Sequence, residues 1–122
     1  MMSRTLIVTF ALALLTASAP AALAHAYPKT MDPPADSTLT TPPQEIVINF
    51  TEGIDPHFSS LEVLNARGKR VDRNDARLAP GNARQFIVDV SALAPGTYTV
   101  VWSVTAVDTH KTHGSYGFTI AP

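Results

Sequence analysis

The sequence contains no cysteine. Disulfides, thiol nucleophiles and thiolate metal ligands are therefore excluded together, and the fold has to be held by its core alone. Charge of one sign is also lacking, since nine Lys/Arg stand against ten Asp/Glu, a formal net charge of −1. Such a balance leaves no electrostatic footprint for nucleic acid or for an anionic membrane surface. No Gly-rich phosphate loop and no paired nucleophile and base occur in the chain. Beyond the first two dozen residues there is no long apolar run and no helical period. Methionine is scarce, with Met31 the one methionine after Met1 and Met2.

What is present begins with Met1–Ala24, which reads as a cleaved signal peptide. It has a basic start at Arg4, an apolar run Leu6–Leu15 and a small-x-small site at Ala22-Leu23-Ala24. The run is short for a membrane span, which takes ~20 apolar residues; an uncleaved signal anchor is the alternative. Cleavage after Ala24 leaves one domain, residues 25–122, opening His25-Ala26-Tyr27-Pro28. Only Arg4 is lost from the charged set, so the formal charge of that domain is −2. Ala24-His25-Ala26 fits the same pattern, and a cut there would remove His25.

The remainder reads as strands and turns. Tyr27–Pro43 carries Pro28, Pro33, Pro34, Pro42 and Pro43, and proline lacks the donor a sheet needs, so a loop or edge segment is expected, with Leu39 tucked into the core. Ile46, Ile48 and Phe50 alternate with polar or smaller neighbours, as on a strand with one buried face. Gly53 and Asp55-Pro56 then signal a break, and alternation resumes at Leu61, Val63 and Asn65. Val71–Asn82 reads as polar and turn-like. Phe86, Val88 and Val90 share the face of another strand, and the Pro95-Gly96 turn opens the longest β-branched and aromatic run, Thr97–Val107. Its alternation sets Tyr98, Val100, Trp102, Val104 and Ala106 on one face, and Tyr116, Phe118 and Ile120 line the last strand. The expected fold is all-β, an antiparallel Greek-key β-barrel or β-sandwich of about seven strands.

Donor atoms for a metal gather at the two ends of this domain. A free N-terminal His25 offers an amine and an imidazole from one residue, and the two can close a chelate ring. Asp108 and His110 are spaced i, i+2, so on an extended backbone they point to the same side. Two imidazoles, one amine and one carboxylate suit copper(II) or nickel(II), and the divalent series favours copper(II) most. Zinc competes if the geometry is tetrahedral. Each residue has a plainer use: a terminal histidine can fray, Asp108 can start a turn and His110 can sit on a surface loop. His113 lies on the opposite face from His110 if the strand continues, which suits a supporting or solvent role. His57 follows a proline turn and is expected to be exposed.

A resemblance adds to this reading. His25-Ala26 after a signal site, Pro33-Pro34-Ala35-Asp36 and Ile48-Asn49-Phe50-Thr51-Glu52 resemble the first half of a CopC-type periplasmic copper-binding, copper-resistance protein. Pro95-Gly96-Thr97-Tyr98-Thr99-Val100-Val101-Trp102, Asp108-Thr109-His110 and Gly114-Ser115-Tyr116-Gly117-Phe118 resemble its second half. The resemblance implies a seven-stranded Greek-key barrel, a monomer in the periplasm, one copper(II) ion at the mature N-terminus and a role in copper homeostasis. It also implies a membrane transporter of the CopD type as partner, no membrane insertion after signal cleavage, and a glutamate near the metal at Glu52. With Met31 alone, the Met-rich copper(I) site of some members is not expected here.

Two other classes stay open at this point. Copper monooxygenases that cleave polysaccharides use an amine–imidazole chelate with a second histidine, but they need an open metal position and a flat aromatic surface. The aromatics here have core-like alternation, and Asp108 as a further ligand disfavours oxygen activation. A structural β-sandwich that binds a protein partner is the other alternative. The reading favoured is a copper carrier or buffer, not an enzyme.

Overall fold

The computed structural model describes residues 25–122, and the expected signal segment Met1–Ala24 lies outside the described residues. Eight strands follow one another with no helix between them: β1 (Pro28–Asp32), β2 (Thr38–Leu39), β3 (Glu45–Phe50), β4 (Ile54–Leu64), β5 (Arg77–Ala79), β6 (Asn82–Asp89), β7 (Gly96–Ala106) and β8 (Lys111–Ile120). They form two four-stranded sheets, ordered β1-β3-β6-β5 and β2-β8-β7-β4. The sheets pack face to face as a Greek-key sandwich. Ile46, Ile48, Phe50, Phe86 and Val88 from one meet Leu61, Val63, Val100, Val104, Phe118 and Ile120 from the other, all essentially inaccessible. Inward alternation of large apolar side chains replaces the missing disulfides as the source of stability.

Three local features differ from the sequence reading. The Pro-rich segment contains an edge strand, β1, and then a two-residue pairing, β2, that runs parallel to β8, so the sandwich is not wholly antiparallel. This arises because the chain leaves the edge of one sheet and lies along the edge of the other. There, Asp36 N–H donates to the Gly117 carbonyl at 2.7 Å and Thr119 N–H to the Ser37 carbonyl at 2.9 Å. Asp55-Pro56 does not end a strand. The chain stays extended in β4, but its ladder with β7 loses register between Asp55 and Ser60. Side chains bridge the gap: the Ser59 hydroxyl accepts Thr105 N–H at 3.0 Å, and the Thr105 hydroxyl donates to the Phe58 carbonyl at 3.0 Å. Finally, the polar stretch after Val71 contains β5, three residues at a sheet edge and too short to show alternation; the strands number eight where about seven are expected.

Two positions are tightly fixed by their surroundings. Asp72 has a fully buried carboxylate that accepts Val63 N–H at 2.8 Å, Arg70 Nε at 2.9 Å and Asn74 N–H at 2.9 Å, so each oxygen is satisfied. Gly114 pairs with Trp102 across β7 and β8, and a Cβ there would lie 2.6 Å from the indole Cζ2. Trp102 is itself 6% exposed and stands edge-on to Phe50 with centroids 5.5 Å apart, so the ring has little freedom to yield. Gly114→Ala should therefore destabilise by about 1–3 kcal/mol, as overpacked cores do, lowering the melting temperature by roughly 5–20 °C for a domain of this size. Thermal unfolding followed by Trp102 fluorescence checks this, and an unchanged midpoint would mean the indole moves freely.

Candidate metal centre

The chain enters the sandwich through a short arm, His25-Ala26-Tyr27, ahead of β1. Ala26 is fully buried, small enough to slip between the sheets. Thr112, inward-facing on β8 and 8% exposed, donates its hydroxyl to the Ala26 carbonyl at 2.6 Å. Thr51, just past β3, donates to the His25 carbonyl at 3.2 Å, and its hydroxyl accepts Tyr27 N–H at 3.0 Å. Its own N–H donates to the Tyr27 carbonyl at 2.9 Å. The arm is thus fastened at three successive residues.

The second half of the centre is the turn between β7 and β8. Thr109 N–H donates to the Ala106 carbonyl at 2.8 Å and Ala106 N–H to the His110 carbonyl at 2.9 Å. Thr109 adopts φ 76°, a left-handed conformation that β-branched residues rarely take. Asp108 Oδ1 accepts the backbone N–H of His110 at 3.1 Å, the local use of aspartate in turns. The other carboxylate oxygen, Oδ2, lies 3.2 Å from His110 Nδ1. Asp108 and His110 therefore meet because the chain turns back on itself, not because an extended backbone aims them alike. The His110 backbone N–H, then the imidazole beside it, holds the Asp108 carboxyl below the usual carboxylate range.

The two halves meet. The His25 and His110 rings stand edge to face, with centroids 5.0 Å apart and planes at 81°. The Nδ1 atoms of both are buried and have no hydrogen-bond partner. For His110, Asp108 Oδ2 lies 3.2 Å away, within ion-pair distance but outside hydrogen-bond geometry. Buried polar atoms are normally satisfied, and two orphaned imidazole nitrogens side by side suit a shared partner that is not part of the chain. A metal ion held by nitrogen and oxygen donors fits that description. Among the described residues no three His, Asp or Glu side chains stand in a metal-holding array.

The other candidates lie further out. His113 is exposed on the outer face of β8, opposite Ser103 on β7, with the buried Thr112 between it and the turn. His57 is exposed in the irregular part of β4, its backbone N–H bonded to Asp55 Oδ1 at 3.0 Å. Glu52 is half-buried next to Gly53, whose carbonyl accepts Val107 N–H at 3.0 Å beside the turn. Two aromatics depart from the core-like pattern: Tyr27 is 54% and Phe58 69% exposed, both at this end of the sandwich. A groove of about 930 Å³ lies at the opposite end, around Glu45, Arg73 and Asp89, so the donors do not belong to it.

Comparison with known proteins bears on what such a centre is. The family model for the CopC domain matches residues 28–121. This chain belongs to the CopC domain family. It is 38% identical over 114 residues to protein YobA of Escherichia coli K12, covering 91% of this chain and 92% of that one. Among solved structures it is similar to CopC from Methylosinus trichosporium OB3b, with a TM-score of 0.75, 30% identity and coverage of 80% and 95%. It is also similar to PcoC, described as a methionine-rich copper resistance protein from Escherichia coli, with a TM-score of 0.65, 31% identity and coverage of 80% and 99%. Unlike a methionine-rich chain, this CopC domain has Met31 alone, and that side chain is packed against the core.

The residues that the sequence reading missed are Thr51 and Thr112. A signal for Thr112 was present. The inward row of β8 runs Ile120, Phe118, Tyr116, Gly114, Thr112, and a hydroxyl on a core-facing position marks a buried hydrogen bond. No local pattern marks Thr51, whose partners lie 24 and 26 residues earlier.

Proposed function

We propose that residues 25–122 form a periplasmic copper(II)-binding protein, a carrier or buffer in copper homeostasis and resistance, and that it is not an enzyme. What carries the reading is the pair of buried, unpartnered Nδ1 atoms of His25 and His110, brought together beside Asp108 in a chain of the CopC domain family. The ligands proposed are His25, through its imidazole and the amine freed by signal cleavage, with His110 and Asp108. Glu52 lies near enough to the turn to support them, whereas His113 and His57 stand apart. Such nitrogen and oxygen donors suit copper(II) over softer ions. With Met31 the one methionine of the domain, half-buried against the core, no Met-rich copper(I) site accompanies it. The protein acts as a monomer that passes copper to a membrane transporter of the CopD type.

The test is titration of the protein starting at His25 with copper(II) against a competing chelator, with the nitrogen donors counted by electron paramagnetic resonance. One tightly held equivalent with several nitrogen donors is expected; the absence of a tight equivalent would overturn the reading.

The pH dependence follows from the donor set. Metal binding requires proton-free amine and imidazoles, and as classes these groups take up protons between about pH 8 and pH 5. Asp108 contributes nothing to the change in that window. Its lowered value keeps it charged there, and its contribution is lost only at more acid pH, as the pH falls through that value. Copper(II) affinity should accordingly drop from pH 8 towards pH 5 by more than one proton per pH unit. A flat profile in chelator competition would exclude an amine-plus-two-imidazole set.

A further inference from the structure

We propose that Thr112 and Thr51 are positioning residues of the metal centre, two hydroxyls that clamp the arm so that His25 is presented to His110. The proposal rests on the copper reading above. The two threonines come from opposite sheets, Thr51 from the end of β3 and Thr112 from β8. Thr112 follows His110 by two residues, and its hydroxyl bonds the carbonyl of the residue after His25, so one 2.6 Å bond ties the two histidine-bearing segments to each other. Thr51 secures the His25 carbonyl from the other side.

Core packing alone does not call for this hydroxyl. Thr112 sits in the row of Phe118 and Ile120, where valine would fill the same volume without burying a polar atom. Its partner is a carbonyl of the arm, outside the β1–β3 ladder, which begins at Pro28. Without clamps the arm is a chain terminus free to fray, and each loaded molecule would first have to order it. With them, the backbone behind the chelating residue is set before the ion arrives. Substitution of groups that orient ligands lowers metal affinity about 10–100-fold.

The experiment compares Thr112→Val, Thr112→Ser, Asp72→Asn and His110→Ala in the protein starting at His25. Copper(II) affinity is read by chelator competition, donors by electron paramagnetic resonance, and metal-free stability by thermal unfolding. Thr112→Val should bind about 10–100-fold more weakly, and Thr112→Ser, which keeps the hydroxyl, should recover most of the loss. Asp72→Asn perturbs a buried carboxylate that accepts Val63 N–H near the far end of β4 and should lower the melting temperature without changing copper affinity. Wild-type affinity and spectrum in Thr112→Val, with affinity lost in His110→Ala, would overturn the clamp and leave the copper reading standing. Equal weakening in Asp72→Asn would also overturn it, because the loss would then follow stability. Unchanged affinity in His110→Ala would remove the copper reading, and the clamp with it. If Thr112→Val does not fold, Thr51→Val at the exposed bond carries the same expectation, and wild-type affinity there overturns the proposal.

Discussion

A chain carrying one extra glycine before His25 should fold as the His25 chain does and bind copper(II) at least about 100-fold more weakly, because losing a direct ligand exceeds the loss typical of supporting residues. Once His25 is joined to a preceding residue, its nitrogen is an amide whose lone pair is delocalised into the peptide bond. No basic amine remains to complete the chelate. The fold has no reason to change, since every bond that secures the arm uses atoms beyond that nitrogen: the His25 and Ala26 carbonyls and the backbone of Tyr27. Metal-free circular dichroism and melting temperature should thus match, while the copper spectrum shows one fewer nitrogen donor. If the extended chain binds as tightly with the same spectrum, the amine is not a ligand. The site would then have to be rebuilt from His57, His113 and the Asp108–His110 pair.

His110→Ala should weaken copper(II) binding by at least about 100-fold as well, again as loss of a direct ligand, whereas His113→Ala should cost much less. The difference is one of facing. The His110 ring meets that of His25 at 5.0 Å and offers a buried Nδ1 with no hydrogen-bond partner, while His113 looks outward from β8 with Thr112 turned to the core before it. Both variants should keep the metal-free fold, since neither ring is part of the apolar core. Chelator competition on the two proteins side by side checks this. Equal losses would place His113 at the metal and require the β8 alternation to break there.

Most of the sandwich was legible from alternation. The inward rows of β3, β6 and β7 are those that the period of two picks out, because a strand with one buried face must sort its side chains in that way. Proline likewise marked β1 as an edge, which its position in the sheet bears out. What escaped were elements with too few residues to show a period, β2 and β5, and the passage of β4 through Asp55-Pro56. There the missing ladder bonds are replaced by Ser59 and Thr105, whose partnership spans 46 residues and has no local trace. For the centre, Asp108-x-His110 was visible as a pair of donors, but the reason for their meeting was misread: a left-handed Thr109 and an Asx-type turn join them.

The sequence by itself determined the class of fold, the absence of thiol chemistry and the donor types on offer, because these follow from composition and from the period of two. Whether the two ends of the domain meet was decided only by the tertiary structure. His25 and His110 are 85 positions apart, and nothing local couples them. They come together because an inward-facing threonine on β8 and another just past β3 take hold of the arm: the buried Ala26 carbonyl requires a partner, and the one available, Thr112, stands beside the turn that carries His110.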